Sequence, residues 1–345
     1  MTYAIEANDL HKTFGGEVRA LDGVSFAVEE GTIFGLLGPN GAGKTTAVRI
    51  LTTILAPDAG SGRVLGYDVV DQADRVRALI GLAGQYAAVD ENLTGRENLT
   101  MVGRLNHLPH RVVSQRGTEL LEQFGLSDAG DRPLKTYSGG MRRRLDVAAA
   151  LVARPKVLFL DEPTTGLDPQ SRVDLWAMID QLVDEGTSVL LTTQYLEEAD
   201  TLAHELAVVD HGRVIAEGTP SQLKSDLGAT VLDVGLADAD VAIQAAAILD
   251  SVGAKSPTVV GTVVELQVDD GPRVTMEVLR LLDQHGLVPT TFRLREPSLD
   301  DVFLAITGKK TEADGDGPAG APADGTRRRR RAPAGVGTTS DGGGR

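Results

Sequence analysis

Apolar and polar residues alternate through the first thirty positions, as in Ala4-Ile5-Glu6-Ala7 and Val24-Ser25-Phe26-Ala27-Val28, with turn residues between them. A period of two puts every second side chain on one strand face, so this stretch predicts an antiparallel hairpin beside the strand at 32–37. The pattern then becomes solid. Residues 32–37, 80–84 and 157–160 are apolar runs of strand length, and 188–194 read as an apolar strand with a polar tip. Residues 62–66 read as a further short strand and 71–77 as a helix. Residues 91–135 change character: they are polar, Leu120, Leu121 and Phe124 share a helix face, and Pro109, Gly125, Gly130 and Pro133 punctuate them. They predict a helical subdomain inserted into an α/β core. Residues 206–215 read as a closing hairpin. Beyond them Leu232, Val234 and Leu236 alternate as a strand, and 239–249 read as a helix. Residues 258–268 form a hairpin with Val264, Leu266 and Val268 on one face. Val274, Val278, Leu281 and Leu282 mark another helix, and Phe292 and Leu294 a last strand. That β-α-β-β-α-β order suggests a small ferredoxin-like sandwich.

The stretch Gly38-Pro39-Asn40-Gly41-Ala42-Gly43-Lys44-Thr45-Thr46 matches G-x-x-x-x-G-K-[ST], the P-loop. The strand at 32–37 precedes it and residues 47–51 read as the helix after it, which is the setting the motif needs. Its glycines let the backbone curl until successive N–H groups face a phosphate, and the helix N-terminus adds its dipole. Lys44 would then reach the β- and γ-phosphates, and the Thr45 hydroxyl a Mg²⁺ ion. The strand at 157–160 ends in Asp161-Glu162. An acid at the end of a buried strand beside a P-loop is the Walker-B arrangement, with Asp161 on Mg²⁺ and Glu162 placed to polarise an attacking water. Ser138-Gly139-Gly140 opens a strongly helix-forming run, and Ser138 is a good N-cap. The turn is either an ordinary capped helix or a second phosphate cradle. Two cradles far apart in sequence suggest two bodies clamping one nucleotide. Gln85, at a strand end, is either a polar terminus or an amide oxygen for Mg²⁺ or water. Phe14 sits on a turn, as a core side chain or as a face on which adenine stacks.

Composition narrows the classes. The net charge is −15 and the pI about 4.8, so the basic face that a broad nucleic-acid footprint needs is not expected. The chain has no cysteine, which excludes disulfides and thiolate chemistry. No leader is expected at the N-terminus, and no apolar stretch approaches 18 residues, so a chain that does not itself span a membrane is expected.

In order and spacing, the P-loop, Gln85, Ser138-Gly139-Gly140, Asp161-Glu162 and Gly166-Leu167-Asp168 resemble the nucleotide-binding subunit of an ATP-binding cassette (ABC) transporter. The resemblance covers about residues 3–220, and the Ser-Gly-Gly signature separates this family from other P-loop ATPases. It implies that Phe14 is the adenine-stacking aromatic and that Gln85 links Mg²⁺ and nucleotide to a membrane partner. It implies that Ser138, Gly139 and Gly140 close on ATP held by a second subunit, and that Asp168 is the D-loop acid at that dimer interface. One position departs: where the family usually has His at the switch position, this chain has Gln194, whose amide can donate to a γ-phosphate but cannot carry charge. Thr192-Thr193-Gln194-Tyr195-Leu196-Glu197-Glu198-Ala199-Asp200 is similar to the daunorubicin/doxorubicin-resistance ATP-binding proteins, as is Arg295-Glu296-Pro297-Ser298-Leu299-Asp300-Asp301-Val302-Phe303.

The resulting expectation is an α/β P-loop ABC ATPase core with an antiparallel β subdomain and an inserted helical subdomain, about 86–150, all within residues 1–222. A small α+β ferredoxin-like domain for regulation or subunit contact follows at 225–308; a drug-binding role is the alternative there. Residues 309–345, rich in Gly, Ala, Pro and Asp, are expected to be a disordered tail, with Arg327 to Arg331 either solvated or near anionic lipid. The chain would be a peripheral ATPase at the cytoplasmic side of the cell membrane, binding ATP and Mg²⁺. It would pair as a homodimer of nucleotide-binding subunits and drive a separate permease that exports a drug or secondary metabolite. A non-transport ABC ATPase would show two cassettes or a long coiled-coil insert. A regulatory ATP-binding protein with little hydrolysis is the alternative that Gln194 prompts.

Overall fold

The computed structural model describes residues 2–84, 89–225, 230–252, 256–268, 271–295 and 297–307. Gln85 and the tail expected at 309–345 lie outside the described residues.

The first hairpin pairs β1 (Tyr3–Phe14) with β2 (Val18–Glu29), antiparallel as the alternation predicts. Next come β3 (Ile33–Leu37), α1 (Lys44–Leu51), β4 (Ala59–Val64), β5 (Tyr67–Asp68), α2 (Ala73–Arg77) and β6 (Ile80–Ala83). The hairpin does not join the P-loop strand. It belongs to a separate four-stranded sheet in the order β2-β1-β4-β5. The inward residues of that sheet, among them Ile5, Val24, Phe26 and Val64, meet Ala47, Val48, Ile50 and Leu51 of α1. Phe26 stacks on Phe34 with ring centroids 5.3 Å apart. The helix carrying the P-loop lysine is therefore walled in from the hairpin side.

The helical insert contains α3 (Gly95–Leu105), α4 (His110–Gln123) and α5 (Gly139–Ala150). A capping box starts α3: Glu97 N–H donates to Thr94 Oγ1 (3.2 Å), and Thr94 N–H donates to Glu97 Oε2 (2.8 Å). Leu120, Leu121 and Phe124 are buried, as their spacing predicts.

The main sheet adds β7 (Val157–Asp161), β8 (Ser188–Thr193), β9 (Glu205–Asp210) and β10 (Arg213–Gly218), with α6 (Pro169–Asp184) and α7 (Leu196–Leu202) between them. Its order is β10-β9-β3-β8-β7-β6. All neighbours run parallel except β10, which pairs antiparallel with β9. Every residue of β3, β7 and β8 is buried. Strands covered on both faces need apolar side chains throughout, which explains the solid runs. Leu175, Ile179 and Leu182 of α6 cover Leu158, Leu160, Val189 and Leu191 on one face. Each such fully buried side chain contributes roughly 1.5–3 kcal/mol.

After α8 (Pro220–Ser225) come β11 (Thr230–Gly235), α9 (Ala239–Leu249), β12 (Thr258–Val260), β13 (Val263–Val268), α10 (Gly271–Gln284) and β14 (Thr291–Arg295). The strands form an antiparallel sheet ordered β12-β13-β11-β14, with α9 and α10 packed on one face through Ala242, Ala245, Leu249, Val274, Val278 and Leu282. The predicted β-α-β-β-α-β order holds. A final helix, α11 (Leu299–Thr307), was not expected from the pattern. It leaves the small sheet and seats Leu299, Val302 and Phe303 against Leu196 and Ala199 of α7, Leu223 of α8, and Leu37. Arg295 ties its first turn back to the sheet, donating to Asp301 (3.0 Å) and Asp233 (2.9 Å).

Candidate functional site

The parallel register puts the chemistry at one edge. Leu37 pairs with Thr193, and Asp161 with Thr192, so the carboxyl ends of β3, β8 and β7 lie side by side. This is where open α/β sheets place ligands. Gly38, Gln194 and Glu162 each follow one of those ends, and Gly38 N–H donates to Thr193 O (3.3 Å).

The loop after β3 needs its glycines for stated reasons. A Cβ on Gly38 would lie 2.2 Å from Val209 O, and one on Gly43, at φ +113°, would lie 2.5 Å from Ala20 O. The helix begins at Lys44, three residues before the predicted 47, so Lys44, Thr45 and Thr46 are its first turn. That turn has no side-chain cap and no acidic residue. Its orphan N–H groups and positive dipole end fit an anion.

Lys44 is 4% exposed. Its Nζ donates to Gly38 O (2.6 Å) and Pro39 O (3.1 Å) and sits 3.6 Å from Glu162 Oε1. Burial pulls its pKa down, and the neighbouring Glu162 carboxylate pulls it back up. Asp161 Oδ1 accepts from the hydroxyls of Thr45 (3.1 Å) and Thr192 (2.6 Å). Thr192 also accepts the Glu162 N–H at its carbonyl and at Oγ1, both at 3.1 Å. The hydroxyl of Thr45 and the carboxylate of Asp161 are hard oxygen donors a hydrogen bond apart, a set that fits Mg²⁺ completed by phosphate oxygens and water. Thr192 was not singled out from the sequence, because a Thr inside an apolar strand reads as filler. Only the strand register shows it facing Asp161.

Of the other sequence-derived residues, Gln194 stays at this edge, and Phe14, Ser138 and Asp168 lie on other elements. Phe14 ends β1 and is 41% exposed. Gln194 is half-buried just past β8. Ser138 caps α5, accepting Met141 N–H at Oγ (3.2 Å), and is exposed with Gly139. Asp168 caps α6, accepting Ser171 N–H (3.0 Å) and Ser171 Oγ–H (2.6 Å). That same Ser171 hydroxyl would lie 2.6 Å from a Cβ on Gly140. The signature turn and the Asp168 turn therefore touch.

Glu198 on α7 is 0% exposed. Trp176 Nε1–H donates to it (3.1 Å). Burial raises its carboxyl pKa, and the Trp176 hydrogen bond offsets only part of this. A carboxyl whose folded pKa is raised costs stability as pH climbs from the ordinary carboxylate range through the folded pKa. Glu198→Gln removes that cost, so its melting temperature should rise relative to the parent between pH 5 and pH 8. Melting curves at the two pH values check this, and a difference independent of pH would refute it.

Two family descriptions match the chain: "ABC transporter" over residues 21–165, and "ATP-binding protein DrrA1-3-like, C-terminal domain" over 218–307. The chain is 54% identical over 312 residues to the daunorubicin resistance ATP-binding protein DrrA2 of Streptomyces coeruleorubidus, covering 90% of this chain and 97% of that one. It is 52% identical over 313 residues to the daunorubicin/doxorubicin resistance ATP-binding protein DrrA of Streptomyces peucetius, covering 89% and 93%. Among solved structures it superposes on cbiO1 from Clostridium perfringens, part of the ABC transporter complex cbiONQ. The TM-score there is 0.60 and the identity 26%, over 65% of this chain and 91% of that one. With the P-loop, the acid pair and the signature turn on one cassette fold, the chain belongs to the ABC transporter ATP-binding proteins, in the group of the daunorubicin/doxorubicin-resistance ATP-binding subunits.

Proposed function

We propose that the chain is the ATP-hydrolysing subunit of an exporter, drawing a drug or secondary metabolite through a separate membrane permease. The observation that carries this is the joining of Lys44, Thr45, Asp161 and Glu162 at the ends of β3 and β7. Residues 38–46 would wrap the phosphates, Phe14 would stack on adenine, and Lys44 would neutralise the charge that develops on the transferring phosphoryl group. Glu162 would orient and deprotonate the attacking water. Thr45, Asp161 and Gln85 would hold Mg²⁺, which would supply positive charge to neutralise the phosphates. Ser138, Gly139 and Gly140 would meet the nucleotide of a second copy, with Asp168 at the same interface, so that two chains close on ATP head to tail. Only a ligand that favours the closed pair can drive the permease, and ATP clamped between copies does so. Gln194 would donate an amide N–H to the γ-phosphate without titrating.

No helix among the described residues is long and apolar enough to cross a membrane. A peripheral seat on the cytoplasmic face, beneath the permease, follows from the proposal. So do the boundaries: a nucleotide-binding domain over 1–222 and a regulatory or subunit-contact domain over 225–308. The test is daunorubicin accumulation in inside-out vesicles holding this chain and a co-expressed candidate permease. Accumulation that needs both proteins and ATP is expected. ATP binding without turnover in every pairing would overturn the transport reading in favour of a regulatory ATP-binding role.

A further inference from the structure

Arg143 sits on α5, just over one turn beyond Ser138, and its guanidinium turns inward. Nε donates to Pro163 O (2.6 Å), Nη1 to Gly84 O (2.6 Å) and Nη2 to Asp161 O (3.2 Å). Asp146, one turn further along the helix and 2% exposed, accepts from Nη1 (3.1 Å) and holds the plane of the guanidinium. One side chain thus grips the carbonyls on both sides of Glu162, and also the carbonyl that follows β6.

Glu162 itself stands at φ +51°, a conformation that bulky L residues rarely adopt. Its N–H is held by Thr192. Its flanking carbonyls are held by Arg143, so the backbone around it is fixed from the strand on one side and from the signature helix on the other. The fork is specific: a lysine ammonium is a compact charge that cannot serve three carbonyls and a carboxylate spread across one plane.

We infer that Arg143 is a positioning residue for the hydrolytic base, clamping the backbone on both sides of Glu162 so that displacement of the signature helix is passed directly to the Glu162 carboxylate. The inference rests on the reading of Glu162 as the base. A residue that merely filled a hole would affect stability and leave the ratio of turnover to nucleotide affinity alone.

The experiment uses the full-length chain with Mg²⁺ and a fluorescent ATP analogue, measuring affinity and single-turnover hydrolysis. Amide hydrogen exchange is followed at residues 162–165 and 41–46. Arg143→Lys is expected to slow hydrolysis roughly 10- to 100-fold, as a small misplacement of a reacting group does. Nucleotide affinity should be unchanged. Exchange should rise at 162–165 and stay level at 41–46. Arg143→Lys combined with Glu162→Gln should be no slower than Glu162→Gln alone. Asp146→Asn keeps the guanidinium but frees its plane. It should show the same split at smaller size, and it serves if Arg143→Lys does not fold. Rate and affinity falling together, unchanged exchange at 162–165, or additive losses in the double variant would overturn the inference. Parent-like turnover in both single variants beside a slow Glu162→Gln would overturn it alone. Parent-like turnover in Glu162→Gln would instead sink the base reading on which it rests.

Discussion

Glu162→Gln should lower the rate of ATP hydrolysis by about 10²- to 10⁴-fold, the range that a positioned general base contributes. Glutamine keeps the shape and the backbone contacts. The Glu162 N–H still donates to Thr192 O and Oγ1 at 3.1 Å, so the residue stays in place. What is lost is a group able to accept the proton of the attacking water. ATP affinity should hold or improve, because a negative charge is removed from beside the phosphates. Initial rates and equilibrium nucleotide binding, measured on the same preparation, read the two effects separately. Equal loss of rate and affinity would mean that Glu162 binds substrate and does not act as base.

Lys44→Ala should act on both quantities, and that contrast makes the pair informative. The ammonium is buried, and its reach across the loop is defined by its bonds to Gly38 O at 2.6 Å and Pro39 O at 3.1 Å. A charge-assisted hydrogen bond contributes about 1.5–3 kcal/mol, so losing one to a phosphate should weaken ATP binding roughly 10- to 150-fold. Turnover should fall further, because the charge on the phosphoryl group grows toward the transition state. The substitution also takes away the cation 3.6 Å from Glu162 Oε1 and leaves a space in the loop. Titration with ATP and with ADP separates the roles: a lysine that reaches the γ-phosphate costs ATP affinity more than ADP affinity when removed. Equal losses for the two nucleotides would confine Lys44 to the β-phosphate.

The site was legible in the sequence where its geometry is local. The P-loop is one continuous turn, so spacing alone specifies the placement of Lys44 and Thr45. Asp161 and Glu162 announce themselves because a buried strand has no other use for two adjacent acids. The signature turn could be recognised, but its packing could not. Nothing near Gly140 in sequence shows that a Cβ there would meet Ser171. Thr192 and Arg143 escaped for the same reason. Each looks ordinary in its own element, a Thr in an apolar strand and the middle of three arginines on a helix. Each acts through partners far along the chain, Thr192 on Asp161 and Arg143 on Gly84 and Pro163.

The elements divide along the same line. Periodicity determined the strands, the helical insert and the β-α-β-β-α-β module, because alternation and helix spacing report which faces are buried. The tertiary structure decided which strands share a sheet. The first hairpin has the alternation of a strand pair in any sheet, yet it pairs with β4 and lies over α1 instead of extending the P-loop sheet. It also decided the course of α11. Leu299, Val302 and Phe303 fall on one apolar face of α11, but a face does not name its partner. Only the assembled fold leaves α7, α8 and the end of β3 uncovered beside it, and burying that apolar surface seats the helix on the cassette.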